Sequence, residues 1–118
     1  QLLDKASIEA MATRTKNGGA EIVGLLKTGS AFFAPASSAV AMAASILLDQ
    51  KRLLPTACWL NGQYGFHDVY MGVPAILGKD GVETIVEIPL DNESRAQMHK
   101  TAGAILADVQ ILRDKKLL

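Results

Sequence analysis

The longest apolar run of the chain, GSAFFAPASSAVAMAASILL from Gly29 to Leu48, constrains the fold more than any other stretch. Ser30 can cap a helix that follows it, and Pro35 lies early, where a missing N–H does least harm to a helix. From Ala36 the run is apolar nearly all round, which predicts a helix buried on most sides. Its many Ala and Ser side chains would let another backbone approach closely.

Three interpretations compete for this run. A membrane span needs about 20 apolar residues, which the run supplies. Pro35 and the serines Ser37, Ser38 and Ser45 count against a span. A buried core helix and a helix at a subunit contact are the other two interpretations, and they are compatible with each other.

Size and charge limit the class of protein. A chain of 118 residues is long enough for one domain with a real core. The hydrophobic share is 49% and the charged share 20%, and 12 basic residues balance 12 acidic ones. A formal net charge of +0 offers no basic field for nucleic acid or acidic lipid, so neither is expected as a partner. A near-neutral, apolar chain is prone to associate.

Cysteine usage and the N-terminus bear on the compartment. The single Cys58 cannot form an internal disulfide and is expected to be a buried thiol. Nothing at the N-terminus resembles a signal peptide, so a reducing cytoplasm is the expected location. Because the chain opens at Gln1 without Met, a fragment, a processed product or a trimmed form all stay open.

A first helix is predicted before the apolar run. Asp4 or Ser7 can cap it, and apolar residues then recur at helical spacing. Asn17-Gly18-Gly19 predicts a kink or a break, with close approach of another group to the backbone, because two adjacent glycines cost about 2 kcal/mol in a helix interior. The helix should resume at Ala20 and end near Lys27-Thr28-Gly29.

The second half of the chain has strand patterns. Three strands are predicted, over Leu53–Leu60, Val69–Leu77 and Val82–Ile88. Asn61-Gly62 and Lys79-Asp80-Gly81 are turn signals. Pro74 suggests that the second strand is an edge strand or carries a bulge.

A last helix closes the pattern. Asp91 or Asn92 should cap it, with Glu93 in its first turn. Its predicted apolar face consists of Ile105, Leu106, Val109 and Leu112. The expected fold class is α+β, with helices packed on an antiparallel sheet of about three strands.

Several segments, taken in order, are typical of one family. They are GGAEIVGLLKTGSAFFAPASSA, LPTACWLNGQYG and DVYMGVPAILGKDGVETIVEIPL. They resemble the C-terminal domain of the NAD-dependent malate dehydrogenases, in the branch of the lactate/malate dehydrogenase family that is similar to lactate dehydrogenase. The resemblance covers nearly the whole chain.

The resemblance implies an activity and a missing half. It implies hydride transfer between malate and NAD to give oxaloacetate, in a homo-oligomer that is a dimer or a tetramer. The full enzyme would be two to three times longer, with an N-terminal dinucleotide-binding domain absent here, so residues 1–118 would be the C-terminal substrate domain. The chain has no G-x-G-x-x-G. The family's catalytic histidine and carboxylate-binding arginines should lie upstream of Gln1, so the fragment alone is predicted to be inactive.

The same resemblance gives the candidate site residues. The position that aligns with Ser30 lines the substrate pocket and holds a small hydroxyl residue, whereas the residues alone fit a plain N-cap equally well. Gly19 and Ala20 align with the helix that flanks the substrate. Ala34 aligns with a position near the nicotinamide ring of NAD. No catalytic residue and no metal ligand are predicted in this chain.

Other conspicuous residues have plainer interpretations. His67 and Asp68 are adjacent, so they would point to opposite faces of a strand, and a surface loop is expected there. His99 is expected to be solvated, without a second metal ligand at matching spacing. Trp59 and Tyr64 are expected to pack in the core and at its rim. All four arginines are interpreted as surface or interface charges, namely Arg14, Arg52, Arg95 and Arg113.

Two other functions stay open at this stage. Lactate dehydrogenase is the first, because the residues that discriminate between the two substrates would lie in the missing half. A non-catalytic association module is the second, which would use the alanine-rich helix and an apolar face left exposed by the absent domain.

Overall fold

The order of helices and strands agrees with the α+β prediction. The computed structural model describes residues 2–117. Its elements are α1 (Lys5–Leu26), α2 (Phe33–Leu47), β1 (Arg52–Asn61), a short 3-10 helix (Gln63–Gly65), β2 (His67–Gly78), β3 (Gly81–Ile85) and α3 (Asn92–Asp114). The chain divides into two compact units, which we name the helical unit (Gln1–Ala41) and the sheet unit (Met42–Leu118).

Helix α1 begins at a capped residue and continues unbroken. The Asp4 carboxylate accepts from the backbone N–H of Ser7 at 2.7 Å, which confirms the predicted cap. The break predicted at Gly18 and Gly19 is wrong, because α1 runs through both glycines. Helix on both sides of the pair, with Arg14 and Glu21 in an ion pair at 3.0 Å across it, outweighs the local cost.

The predicted close approach at these glycines is also wrong within the described residues. A Cβ placed on Gly18 or Gly19 would meet nothing within 4 Å. The helix then ends at Leu26, directly before the predicted end near Lys27-Thr28-Gly29, and Lys27 leaves the helix with a φ of 60°. The glycines are therefore an exposed, uncovered stretch of α1.

Helix α2 begins later than the sequence suggests. Its first residue is Phe33, and the backbone N–H of Ala36 donates to the carbonyl of Phe32 at 2.9 Å. Ser30 lies three residues before the helix, so the prediction that Ser30 is its N-cap is wrong. Pro35 is the third helical residue, where no intrahelical donor is needed, as expected.

The prediction that α2 is buried on most sides is wrong for the described chain. Only Ser45 is buried along the helix, whereas Phe33 is 80% and Val40 67% exposed. An apolar helix is buried only where another element covers it, and composition does not reveal whether one does. Among residues 2–117, no helix is both long enough and apolar enough to cross a membrane.

The three strands form one antiparallel sheet in the order β1-β2-β3. Asn61 pairs with His67 at one end of the β1–β2 ladder, beyond a register shift that follows Leu60, and Arg52 pairs with Leu77 at the other end. Between β2 and β3, Gly78 pairs with Gly81 across two turn residues. Gly81 has a φ of 86°, a conformation that glycine adopts without strain, and the predicted tight hairpin is confirmed.

Pro74 lies on the central strand, so the edge-strand prediction is wrong. Pro74 faces Pro55 on β1, and two prolines exchange no N–H bonds, which suits a non-hydrogen-bonded pair. On the side that faces β3, the carbonyl of Pro74 accepts from the N–H of Val86 at 2.8 Å, but Pro74 has no N–H that could donate back. Strand β3 therefore ends at Ile85 and not at the predicted Ile88. A register irregularity does occur two residues further along β2.

The core lies on one face of the sheet, beneath α3. Alternate strand residues are buried there together with Ala102 of α3, and they are Cys58, Leu60, Val69, Met71, Val73 and Ala75. The Asp91 carboxylate caps α3 by accepting from the N–H of Ser94 at 2.7 Å, as predicted.

The buried stripe of α3 differs from the predicted face. Ala102 is buried, and Met98, Ile105 and Val109 are half-buried. Leu106 is 41% and Leu112 39% exposed, so placing these two with the inward residues was wrong. The stripe follows i, i+4, i+7 and i+11 from Met98, which is one face of a helix.

Candidate functional site

The four residues that the resemblance assigns to the pocket all lie in the helical unit. Gly19 and Ala20 are in the second half of α1, Ser30 is in the connection between the helices, and Ala34 is the second residue of α2. All four are exposed. No hydrogen bond among the described residues connects Ser30 or Ala34 with Gly19 or Ala20.

Ser30 presents an exposed hydroxyl outside regular structure. Within residues 2–117 this hydroxyl has no hydrogen-bond partner, in contrast to the helical Thr15, whose hydroxyl donates to the carbonyl of Met11 at 2.8 Å. A free hydroxyl on an irregular connection can donate to a carboxylate or a phosphate oxygen.

The exposed face of α1 has a shallow depression beside the candidate Gly19. Gly18 forms its floor because it has no side chain. The lining side chains around it are Met11, Arg14, Thr15, Glu21 and Ile22. Since one helix supplies every lining residue, the depression is an open surface feature.

The two histidines lie in the sheet unit and lack a carboxylate partner among the described residues. His67 Nδ1 is 3.2 Å from the Asn61 side-chain oxygen, and the His99 ring lies 4.8 Å from the Phe66 ring. His67 is the first residue of β2, so the predicted surface loop is a strand end, although the side chain is exposed. Residues 2–117 therefore contain no histidine–carboxylate pair for proton transfer.

A charged cluster that the sequence analysis missed joins the α2–β1 connection to the β2–β3 hairpin. Lys51 Nζ is 3.0 Å from Glu83 Oε2 and 3.9 Å from Asp49 Oδ1. The hydrogen bond that the Lys51 ammonium donates to Glu83, followed by the negative charge of Asp49, raises the pKa of Lys51. Asp49 also accepts from the N–H of Lys79 at 3.0 Å. No local signal reveals this cluster, because Lys51 and Glu83 are 32 residues apart.

Gly78 lies directly beside this cluster. A Cβ at this position would overlap the Glu83 carboxylate and crowd that of Asp49. The carboxylates hold the hairpin turn against the preceding connection, so we interpret the cluster as structural. Within residues 2–117, no group of three or more His, Cys, Asp or Glu side chains could hold a metal ion.

A cavity of about 340 Å³ lies between the 3-10 helix, the segment after β3 and the first turns of α3. The Tyr64 hydroxyl donates to the carbonyl of Val86 at 2.9 Å and accepts from the N–H of Ile88 at 3.1 Å. The backbone N–H of Tyr64 donates to Glu87 at 2.6 Å. Tyr64 thus anchors the segment after β3, and its half-burial agrees with the predicted rim packing.

Trp59 and Cys58 have opposite environments although they are adjacent. Trp59 is 51% exposed, so the prediction that it packs in the core is wrong. Successive strand residues face opposite sides, and Trp59 lies on the side away from α3. Cys58 is 3% exposed, and burial raises the pKa of its thiol. A buried, protonated thiol is a poor nucleophile.

The described residues do not fit the pyrophosphate of a dinucleotide. Such a group needs free backbone N–H donors at a glycine-rich turn between a strand and a helix N-terminus. Gly18 and Gly19 lie inside α1, where their N–H groups belong to the helical ladder. The chain therefore contributes no such cradle through its glycine pair.

Comparison with known proteins decides the family. A family model described as the lactate/malate dehydrogenase alpha/beta C-terminal domain matches residues 1–114. The chain belongs to the lactate/malate dehydrogenase family. A malate dehydrogenase of Geobacter metallireducens is 52% identical over 109 residues, which are 92% of this chain and 34% of that protein. The chain thus spans about a third of the length of this relative.

Solved structures of the family share the fold. The malate dehydrogenase of Salinibacter ruber superposes with a TM-score of 0.89 at 45% identity, covering 98% of this chain and 39% of that one. A lactate dehydrogenase of Eimeria maxima, solved with NADH and oxamate, gives a TM-score of 0.80 at 39% identity, covering 98% and 35%. The α+β fold is that of the family's C-terminal domain.

Proposed function

We propose that the chain is the C-terminal substrate domain of an NAD-dependent malate dehydrogenase. In this proposal, residues 1–118 complete a protein that interconverts malate and oxaloacetate by hydride transfer. The observation that carries this proposal is the 52% identity between the chain and the malate dehydrogenase of Geobacter metallireducens. The chain covers 34% of that protein. The rest of such a protein would bind NAD in a dinucleotide-binding domain.

Within that enzyme the helical unit would form one wall of the substrate pocket. Ser30 would donate its unpaired hydroxyl to a carboxylate of malate. Gly19 and Ala20 would leave room for the substrate because their side chains are minimal. Ala34 would lie near the nicotinamide ring.

The proton transfer and the clamping of the two carboxylates would come from residues outside this chain. Both histidines lie in the sheet unit without a carboxylate partner among the described residues, and Arg14 is engaged by Glu21. The isolated chain would therefore have no dehydrogenase activity. Measurable NADH formation from malate by the purified 118-residue chain would contradict this part of the proposal.

A chimera tests the pocket assignment. The Geobacter metallireducens enzyme would receive this chain in place of its matching segment. We expect the chimera to oxidise malate, and Ser30→Ala to lower kcat/KM for oxaloacetate by about 10- to 150-fold, since a hydrogen bond to a charged group contributes about 1.5–3 kcal/mol. Ser38→Ala is the matched control, because Ser38 is an exposed serine on α2. Equal kcat/KM values for the two variants would contradict the placement of Ser30 in the substrate pocket.

Lactate dehydrogenase is the second candidate, favoured by the similarity to the Eimeria maxima enzyme solved with NADH and oxamate. The malate dehydrogenase structure superposes more closely, with a TM-score of 0.89 against 0.80. The ratio of kcat/KM for oxaloacetate to that for pyruvate, measured on the whole protein that carries this chain, discriminates between the two activities. A ratio below one would favour lactate dehydrogenase.

A homo-oligomer, either a dimer or a tetramer, and a cytoplasmic location complete the proposal. The exposed apolar residues of the helical unit, among them Leu25 and Phe33, support association. They equally support the third candidate, a non-catalytic association module. Activity of the chimera would reject that candidate, and sedimentation as a compact monomer at high concentration would reject association itself.

A further inference from the structure

The cavity of about 340 Å³ between the 3-10 helix and the first turns of α3 combines an apolar floor with charged walls. Its half-buried apolar side chains are Phe66, Leu90 and Met98. Phe66 and Met98 also pack against the core of the sheet. The charged side chains of the cavity are Glu87 and Arg95. A concave site with apolar surface and a few polar groups is the usual form of a small-molecule site, and the proposed dehydrogenase function does not use this one.

The two charged side chains of the cavity are not neutralised by the part of the chain that the structure describes. Within residues 2–117 neither Glu87 nor Arg95 forms an ion pair, whereas Lys51 and Glu83 are 3.0 Å apart. One oxygen of Glu87 accepts from the N–H of Tyr64 at 2.6 Å, which holds this carboxylate at the cavity wall. The cavity therefore presents a negative and a positive charge at separate points.

A ligand that complements these walls carries both charges beside an apolar group. We propose that the cavity binds a free α-amino acid with an apolar side chain. The Arg95 guanidinium binds its carboxylate, because the planar fork of N–H donors matches a carboxylate. The Glu87 carboxylate binds its ammonium group, and its side chain lies on Phe66 and Met98.

Charge and size favour a free amino acid over a peptide. In a peptide the ammonium and carboxylate groups belong to different residues, so a single residue brings both charges only as a free amino acid. The cavity lies at the lower end of the range of about 300–1,000 Å³ that is typical of small-molecule sites. Since Glu87 and Arg95 are both exposed, we expect a dissociation constant on the order of 0.1–1 mM.

L-Leucine and three analogues test the proposal on the 118-residue chain. 4-Methylpentanoate lacks the ammonium group, 3-methylbutylamine lacks the carboxylate, and glycine lacks the apolar side chain. Amide shifts would be followed by NMR up to about 10 mM ligand, which is tenfold above the weakest expected dissociation constant. We expect saturable shifts with leucine at Tyr64, Ile88 and Arg95, and at least tenfold weaker binding of each analogue.

The same titrations can overturn the proposal. Absence of saturable shifts with leucine would exclude the site, and saturable shifts confined to other residues would place the ligand elsewhere. Equal affinity for leucine and any one analogue would show that the group missing from that analogue makes no contact. An apolar amino acid would then be rejected as the ligand.

Substitutions assign the two charged contacts. Arg95→Gln and Glu87→Gln should each weaken leucine binding at least tenfold, and the glutamine at position 87 keeps an oxygen for the N–H of Tyr64. The matched controls are Arg113→Gln and Glu93→Gln, which make the same charge changes at exposed positions of α3 that do not line the cavity. Both controls should bind leucine like the parent chain.

4-Methylpentanoate separates a contact of Glu87 from a merely structural role. Because this analogue has no ammonium group, it should bind Glu87→Gln at least as well as the parent chain. Loss of its binding in Glu87→Gln, or unchanged leucine binding in either cavity variant, would contradict the proposal. None of these measurements involves malate or NAD, so their failure is distinguishable from failure of the proposed function.

Discussion

The two units of the chain differ in whether they have a core of their own. Every buried residue of the described chain lies in the sheet unit, from Ser45 to Ala102. No residue from 2 to 41 is buried, although Leu25, Phe33 and Val40 are large, apolar and exposed. Helices without tertiary packing are marginally stable in water. The sheet unit therefore has a core that stabilises it, whereas residues 2–41 of the helical unit contain no buried core.

This difference bears on function. The proposed pocket residues Gly19, Ala20, Ser30 and Ala34 all belong to the unit without a core. Segments that bind ligands are commonly drawn from the less stable parts of a protein. We expect perturbation of the sheet unit to change stability strongly and perturbation of the helical unit to change it little, and the predictions below test that contrast in order of size.

The largest effect is expected in the core of the sheet unit. Leu60 is 0% exposed, so Leu60→Ala should lower the free energy of unfolding by about 3 kcal/mol through lost burial and a cavity. Urea denaturation followed by far-UV circular dichroism measures it. Leu25→Ala in the helical unit is the matched control, since Leu25 is 77% exposed, and it should change stability by less than about 0.5 kcal/mol. Similar losses for the two variants would contradict the assignment of the core.

A buried hydroxyl should give the next effect. Ser45 Oγ donates to the carbonyl of Leu77 at 2.7 Å and accepts from the N–H of Arg52 at 3.2 Å. Ser45→Ala would leave both backbone groups without this partner and should cost about 2 kcal/mol in the same urea assay. Ser38→Ala, at an exposed position of α2, should cost almost nothing. An unchanged free energy of unfolding in Ser45→Ala would show that the hydrogen bonds between α2 and the sheet contribute no stability.

A stabilising change is expected in α1. Gly19→Ala should favour the helix by about 1 kcal/mol, since glycine is a poor helix former and nothing lies within 4 Å of the new Cβ. Circular dichroism at 222 nm should show more helix, while the urea midpoint of the sheet unit stays constant. Gly81→Ala, where φ is 86°, should instead destabilise the hairpin. Loss of helix on Gly19→Ala would mean that another group packs against this position.

The smallest effect concerns the two carboxylate caps at low pH. The N–H of Ser7 lowers the pKa of Asp4, and the N–H of Ser94 lowers that of Asp91. A carboxyl whose pKa is lower in the folded state stabilises that state fully above its unfolded pKa, and the contribution disappears as the pH falls through the folded pKa. We expect acid to fray the first turns of α1 and α3, as followed by NMR signals of the Ser7 and Ser94 amides. Asp4→Ala should fray α1 without moving the sheet-unit transition, whereas Asp91→Ala should move it. The same effect of Asp4→Ala and Asp91→Ala on the sheet-unit transition would contradict the contrast between the units.

Features with local chemistry were predictable from the sequence. The Asp4 and Asp91 caps and the Lys79-Asp80 hairpin depend on residues within four positions of one another. Strand alternation likewise located β1 and β2. These signals suffice for the α+β class because each depends on backbone geometry close in sequence.

Features that depend on distant partners were not predictable. Strand β3 ends because Pro74 has no donor for Val86, twelve residues later. The prediction that α2 is buried was wrong because an apolar composition shows that a helix can pack against another apolar surface. It does not show whether such a surface is present. The break at Gly18 and Gly19 failed because a local cost was outweighed by helix on both sides.

The candidate site was accessible only through resemblance. Its residue type and its place at the start of the apolar run assigned Ser30 to a helix cap, which the start of α2 at Phe33 excludes. Its assignment to the substrate pocket depends on the family segments around it. The charged cluster of Asp49, Lys51 and Glu83 has no signal in the local sequence either, since its members come together only through the fold.

Hydrogen exchange on the intact chain tests the contrast between the units most directly. Mass spectrometry at peptide resolution would compare amides of α1 with those of β2. Our account predicts that β2 exchanges only through global unfolding and that α1 exchanges many-fold faster through local opening. Protection of α1 equal to that of β2 would contradict it, because the helical unit would then share the stability of the sheet.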